Sequence, residues 1–224
     1  YREAQERYQA DEAFAARARA MVVGLQGGEP VVLEAWRALR AESLAHAQKI
    51  YDRLAVSLRP EDVRGESDYN ASLPDVVREL LEEKKLAVED QGAVCLFLAG
   101  FKTKEGGPLP LIIRKSDGGY LYATTDLAAL RFRVRELRAD RIIYLTDPRQ
   151  TLHFQQVLAA AHAAGWDIHP QTGRPVLIEH ITFGSVLGED GRPLKTRTGE
   201  NVKLADLLDE AIRLAAHKPS NVLL

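Results

Sequence analysis

The sequence predicts an α/β protein whose second half builds a parallel sheet covered by helices. Three observations lead there. From about residue 125 the pattern alternates between helical apolar spacing and short strand-like runs: helix, "RIIYLT", helix, "VLIEHITF", final helix. Upstream, "AVCLFLAGF" and "PLPLIIRK" are strand-like runs divided by a polar "KTKEGG". Before them, residues 1 to about 60 have helical texture throughout. The 224 residues, 46% hydrophobic and 28% charged, can bury a real core in one large domain or two small ones.

The elements follow in order. Tyr8, Phe14, Met21, Val22 and Leu25 fall roughly on one helical face, and "GG" at 27–28 stops that helix. Pro30 suits a first helical turn, and Leu33, Trp36, Leu39, Ile50 and Leu54 continue a long amphipathic pattern, a scaffold expected to pack on the second half. "SLPDVVRELLEEKKL" repeats this grammar, with Ser72 as N-cap candidate, Pro74 early and Asp75 three residues after the cap. Next, "SDGG" at 116–119 is expected to turn the chain into a further strand, "YLYA", completing a β-meander. The helix from 125 sets Leu127, Leu130, Val134 and Leu137 on one side; strand 141–146, helix 150–164 and strand 176–183 succeed it. Leu204, Leu207, Leu208 and Ile212 define the last helix. This ordering reads as a helical and β-meander region followed by half of a doubly wound nucleotide-binding fold.

Composition excludes several classes. No apolar run approaches the roughly 18 residues of a membrane span, and no signal peptide is visible. One cysteine, Cys95, rules out an internal disulfide and fits a reducing compartment. A net charge of −2 gives no global basic footprint for nucleic acid. The six histidines, His46, His153, His162, His169, His180 and His217, lack zinc-type spacing with Cys95 or acidic partners, so no protein-derived metal site is expected. Neither "GxxxxGK[ST]" nor "GxGxxG" occurs. The chain begins at Tyr1 and has Met21 as its only methionine, which reads as part of a longer protein.

Three junctions can carry chemistry. In "GYLYATTDLAAL" a strand-like run enters a helix. Either Thr124 or Thr125 caps that helix, with Asp126 near its positive dipole end, or Tyr122 and Asp126 face a pocket at the carboxyl end of the strand. A carboxylate beside an aromatic ring suits a guanidinium, which pairs with one and stacks on the other. In "TDPRQTLHFQQV" a second strand-to-helix corner presents Gln150 for a ligand hydrogen bond and His153 for a phosphate or ribose; alternatively, Asp147 or Gln150 caps the helix and His153 packs. In "FGSVLGEDGRPLKTRTGE" a strand ends near Gly184, and a loop presents Lys195, Thr196 and Arg197. Such a loop either follows negative charge on phosphates or is an ordinary solvated turn.

Taken together, "GESDYN", "GGYLYATTDLAAL", "DRIIYLTDPRQTLHFQQV" and "VLGEDGRPLKTRTGENVKLADLLDEA" resemble the central part of a class I arginyl-tRNA synthetase, from about residue 1 to 216. The resemblance implies a Rossmann-like catalytic fold divided into 1–92 (helical part of an insertion), 93–124 (β-meander) and 125–218 (second half of the fold), with a tail, 219–224, that fits the family poorly. It implies arginine contacts from Tyr122, Asp126 and Gln150, and ATP contacts from His153, Phe183, Gly184, Val186 and Lys195. "LKTR" at 194–197 resembles a degenerate KMSK loop, giving Lys195 and Arg197 the catalytic roles on the ATP phosphates. The implied chemistry joins L-arginine and ATP into arginyl-adenylate, with Mg²⁺ held through ATP phosphates, and transfers arginine to tRNA(Arg), bound mainly through domains absent here. A monomeric, cytoplasmic parent without membrane contact is implied. No "HxGH" occurs, so the chain by itself is expected to be inactive. The alternative is a non-catalytic module binding arginine or a protein partner.

Overall fold

The structure, a computed structural model, describes residues 2–26, 28–184 and 204–216. Two compact units divide it: Tyr1–Val63 with Leu187–Leu224, and Arg64–Val186. In the first unit, α1 (Arg2–Ala10), α2 (Glu12–Gln26) and α3 (Pro30–Arg53) follow the helical pattern, with Pro30 opening α3 as predicted. The apolar stripe of α3 is not core, however: none of its residues is buried, and Leu39 is 70% exposed. Arg53 donates to Asp209 at 2.7 Å, linking α3 to α7 (Leu204–Ala216).

The second unit holds the main core. A 3₁₀ segment, Glu66–Ser72, runs into α4 (Leu73–Arg78), which widens into a π-type turn over Glu79–Glu83 closed by Lys84 N–H on the Glu79 carbonyl at 2.8 Å. Ser72 stands before α4 but does not cap it. The chain is already helical there, and its hydroxyl donates backwards to the Tyr69 carbonyl at 2.8 Å. A three-stranded antiparallel sheet follows: β1 (Ala87–Asp90), β2 (Ala93–Lys102) and β3 (Pro108–Arg114), in that order. The apolar pattern did not predict β1. Its hairpin turns on Gln91 (φ +49°) and Gly92 (φ +81°), the two positive φ values a tight two-residue turn demands, while Asp90 pairs with Ala93.

The "YLYA" strand does not form. After the turn at 116–119, Tyr120 makes a single bridge to Arg114, and α5 (Tyr122–Arg135) begins at once. The Leu121 carbonyl already accepts from Thr124 N–H at 3.0 Å. Then come β4 (Arg141–Thr146), a 3₁₀ turn (Pro148–Gln150), α6 (Thr151–Ala164) and β5 (Leu177–Thr182). β4 and β5 pair in parallel from Arg141–Leu177 to Thr146–Thr182, as the alternating pattern predicts. Ile142 and Tyr144 on β4 are buried, whereas Ile143 and Leu145 on its other face are exposed. Leu127, Leu130 and Val134 of α5 are core; Leu137 lies past the helix end and is exposed.

One buried carboxylate ties these pieces together. Glu79 is only 7% exposed. It accepts from Arg131 at 2.6 Å, from both terminal nitrogens of Arg135 at 2.7 and 3.1 Å, and from Trp166 Nε1 at 2.7 Å. Trp166 reaches it because Gly165 ends α6 in the left-handed region (φ +69°), folding the indole back into the core. Burial alone raises the Glu79 pKa; the bonds from Arg135, Trp166 and Arg131 override it and hold the carboxyl at about 2.

Because that value lies below the ordinary 4.5, the stabilisation is complete above about pH 5 and fades as the pH falls from 4.5 towards 2. Glu79→Gln is therefore expected to lower the unfolding free energy at pH 7 by about 3 kcal/mol. In urea titrations it also flattens the loss of stability between those two pH values; an acid slope equal to wild type contradicts the assignment. In the hairpin, Gly92→Ala meets Ser116 at 3.3 Å as well as an unfavourable φ. It is expected to cost about 1 kcal/mol by the same titration.

Candidate functional site

The site forms where the first turns of α5 and α6 meet at the carboxyl end of β4 and β5, within the second unit. Thr124, inside the first turn of α5, donates its hydroxyl to the Ile113 carbonyl of β3 and is fully buried. It anchors the helix to the sheet rather than capping it. Thr125 reaches only the Leu121 carbonyl, at 3.4 Å. The capping reading of this junction therefore fails. Tyr122 and Asp126 lie four residues apart, on one face of α5. Tyr122 thus belongs to a helix start and not to a strand end, and it is 72% exposed.

The second corner behaves differently. Asp147 caps the 3₁₀ turn, accepting from the Arg149 N–H at 2.8 Å and from its guanidinium at 2.8 and 2.9 Å. These bonds from Arg149 hold its carboxyl at about 2. Gln150 makes no side-chain cap bond and stays exposed at the start of α6. His153, in the first turn of α6, places Nε2 2.6 Å from Asp126 Oδ2. An ionised carboxylate only accepts, so Nε2 carries the proton of this bond. Both side chains are part-buried, and among the described residues no donor meets Asp126 Oδ1.

Below this pair runs a ladder of rings. His153 meets Phe154 edge-on at 5.1 Å, and Phe154 lies 4.8 Å from Tyr144 and stacks on His180 at 4.9 Å. His180 shares a 2.7 Å hydrogen bond with Thr146 Oγ1, and Arg133 donates to the buried Tyr144 hydroxyl at 3.1 Å. Burial pushes that phenol's pKa up, against the pull of Arg133. Phe183 extends the parallel pairing through its N–H on the Thr146 carbonyl at 3.1 Å; it and Gly184 are exposed.

The structure thus joins Asp126 and His153, which the sequence had assigned to different ligands. Thr146 and His180 are neighbours of this pair that no sequence signal marked. Val186, Lys195, Thr196, Arg197, His217 and the tail from 218 lie outside the described residues. Among the described residues no group of three or more His, Cys, Asp or Glu is placed to hold a metal ion, and no helix is long and apolar enough to cross a membrane.

With this geometry in view, the model of the class I tRNA synthetase (R) catalytic domain matches residues 1–221. The chain is 52% identical over 211 residues to an arginine–tRNA ligase of Azotobacter vinelandii and 54% to one of Alcanivorax borkumensis. The chain belongs to the arginyl-tRNA synthetase family. Each alignment covers 94% of this chain and 35% of the relative, so the chain spans about a third of the length of these curated relatives. The solved arginyl-tRNA synthetase of Plasmodium falciparum superimposes with a TM-score of 0.70 at 29% identity, covering 91% of this chain and 31% of that one. That of Thermus thermophilus shares the fold at a TM-score of 0.52 and 21% identity, over 90% of this chain and 40% of the other. The α/β architecture of an arginyl-tRNA synthetase catalytic domain therefore accounts for the parallel β4–β5 pair and the helices on it.

The ladder predicts a local stability effect. Phe154→Leu keeps most of the apolar volume but removes all three ring contacts, and is expected to lower stability by about 1–2 kcal/mol in chemical denaturation. A loss below the error of the measurement contradicts the stacking role.

Proposed function

We propose that the chain carries the arginine-reading half of the active site of an arginine–tRNA ligase. The observation that carries this reading is the Asp126 carboxylate. It is part-buried at the carboxyl end of the parallel strands, is held through Oδ2 by His153, meets no donor through Oδ1 among the described residues, and lies one helical turn from the exposed Tyr122. A guanidinium brings a planar fork of donors and a stacking face, which suits a carboxylate beside a phenol. Gln150, exposed at the neighbouring helix start, supplies a neutral partner for the amino-acid end of the substrate or its side chain. Asp147 does not compete for this role, since Arg149 already neutralises it.

The rest of the reaction follows from the same reading. In this reading ATP, bound as its magnesium complex through the phosphate oxygens, is contacted by Phe183 and Gly184 at the end of β5 and by Val186. Lys195 and Arg197 stabilise its phosphates while the arginine carboxylate attacks the α-phosphorus and pyrophosphate departs. The adenylate then passes its arginine to tRNA(Arg). The exposed apolar face of β4, Ile143 and Leu145, supports the view that this sheet is the second half of a doubly wound fold, because parallel sheets are covered on both faces. A monomeric ligase in the cytoplasm belongs to the same reading, with the buried free thiol of Cys95 in keeping with a reducing compartment.

Calorimetric titration of the folded chain with L-arginine tests the pocket. Binding is expected, lost about tenfold or more in Asp126→Ala, and undetectable for L-lysine, which lacks the planar fork. Lysine binding as tightly as arginine contradicts the assignment. Because the 224 residues contain no "HxGH", they are expected to form no arginyl-tRNA by themselves in an aminoacylation assay.

A further inference from the structure

We infer that His153 is a positioning residue for arginine: it holds the Asp126 carboxylate in the plane the guanidinium needs, and is not a contact to ATP. The inference rests on the arginine reading of this site. Three features of the structure lead to it. Nε2 lies 2.6 Å from Asp126 Oδ2, so this nitrogen is already committed to the carboxylate. The bond joins two helices, α5 and α6, and so fixes Asp126 relative to an element outside its own backbone. Finally, the imidazole cannot swing freely. Its edge meets Phe154 at 5.1 Å, and Phe154 is buried between Tyr144 and His180.

The geometric need is specific. A forked guanidinium donates two parallel N–H bonds, and their joint formation requires both carboxylate oxygens in one plane with the fork. An unsupported aspartate turns broadly about its terminal torsion, so each binding event would first have to select the right plane. A donor on Oδ2 restricts that freedom and leaves Oδ1 without a donor among the described residues. Oδ2 retains further lone-pair capacity for the second N–H of the fork. The ring ladder transmits rigidity from the core to this one bond, which is how a supporting residue acts without touching the ligand.

Calorimetry on the folded 224-residue chain, with L-arginine and MgATP titrated separately, decides this. His153→Ala is expected to weaken arginine binding about tenfold, the worth of one charge-assisted hydrogen bond, and to leave MgATP binding as in wild type. His153→Gln, whose amide nitrogen falls near the position of Nε2, is expected to stay within about threefold of wild type for arginine. In the Asp126→Ala background the His153→Ala change is expected to have no further effect, since its partner is gone. Arginine affinity unchanged in His153→Ala while MgATP binding falls overturns the positioning role alone. So does His153→Gln behaving like His153→Ala. A folded wild-type chain that binds no arginine overturns the arginine reading itself, and the inference with it. Near-ultraviolet circular dichroism of each variant separates these outcomes from misfolding.

Discussion

The buried Glu79 carboxylate is the constraint on which the second unit depends. A lone carboxylate in an apolar core is strongly disfavoured, and its burial here is tolerable only because four N–H donors converge on two oxygens. Those donors come from α5 and from the residue that follows α6, while the carboxylate sits on the π-type turn after α4. One ionic knot therefore sets the rotation of α5 about its own axis. That rotation turns Leu127, Leu130 and Val134 into the core and brings Asp126 to α6. Apolar residues of the same volume would fill this space equally well, but would accept several rotations of the helix; the bidentate Arg135 pair accepts few.

From there the site is a matter of transmission. The Thr124 hydroxyl fastens the start of α5 to β3, and the β4 strand delivers α6 to the same corner. Between them the Tyr144–Phe154–His180 rings form a close-packed floor, and the polar groups stand on top of it. Asp126 and Asp147 illustrate how neighbouring acids divide their work. Asp147 is consumed by the cap of the 3₁₀ turn and by Arg149, whereas Asp126 meets His153 through Oδ2 and no donor through Oδ1 among the described residues.

How much of this was legible in the sequence depends on the range of the interaction. The helices and strands after residue 125 were readable because their apolar periods are local, and the Tyr122–Asp126 pair stood out because a carboxylate at a helix start near a strand end has a physical meaning of its own. The same local grammar misplaced details. Tyr120 to Ala123 have strand-forming composition, yet the helix starts at Tyr122 because Thr124 finds a buried carbonyl in β3, a partner that no window reveals. Ser72 has the composition of a cap, but a preceding 3₁₀ segment leaves no helix start for it to cap. The β1 hairpin turns on Gln-Gly, a weaker cue than Asn-Gly or Asp-Gly, so it passed unread. Glu79 and Trp166 are 87 residues apart, and nothing in either neighbourhood announces the other. The Asp126–His153 bond had a faint signal: each residue lies in the first turns of its helix.

A crystal structure of the chain with L-arginine bound decides whether Asp126 reads the guanidinium. The guanidinium is expected against both oxygens of Asp126 and over the Tyr122 ring, with the His153 bond to Oδ2 still in place. A guanidinium seated elsewhere, or a carboxylate that leaves His153 to meet it, contradicts this.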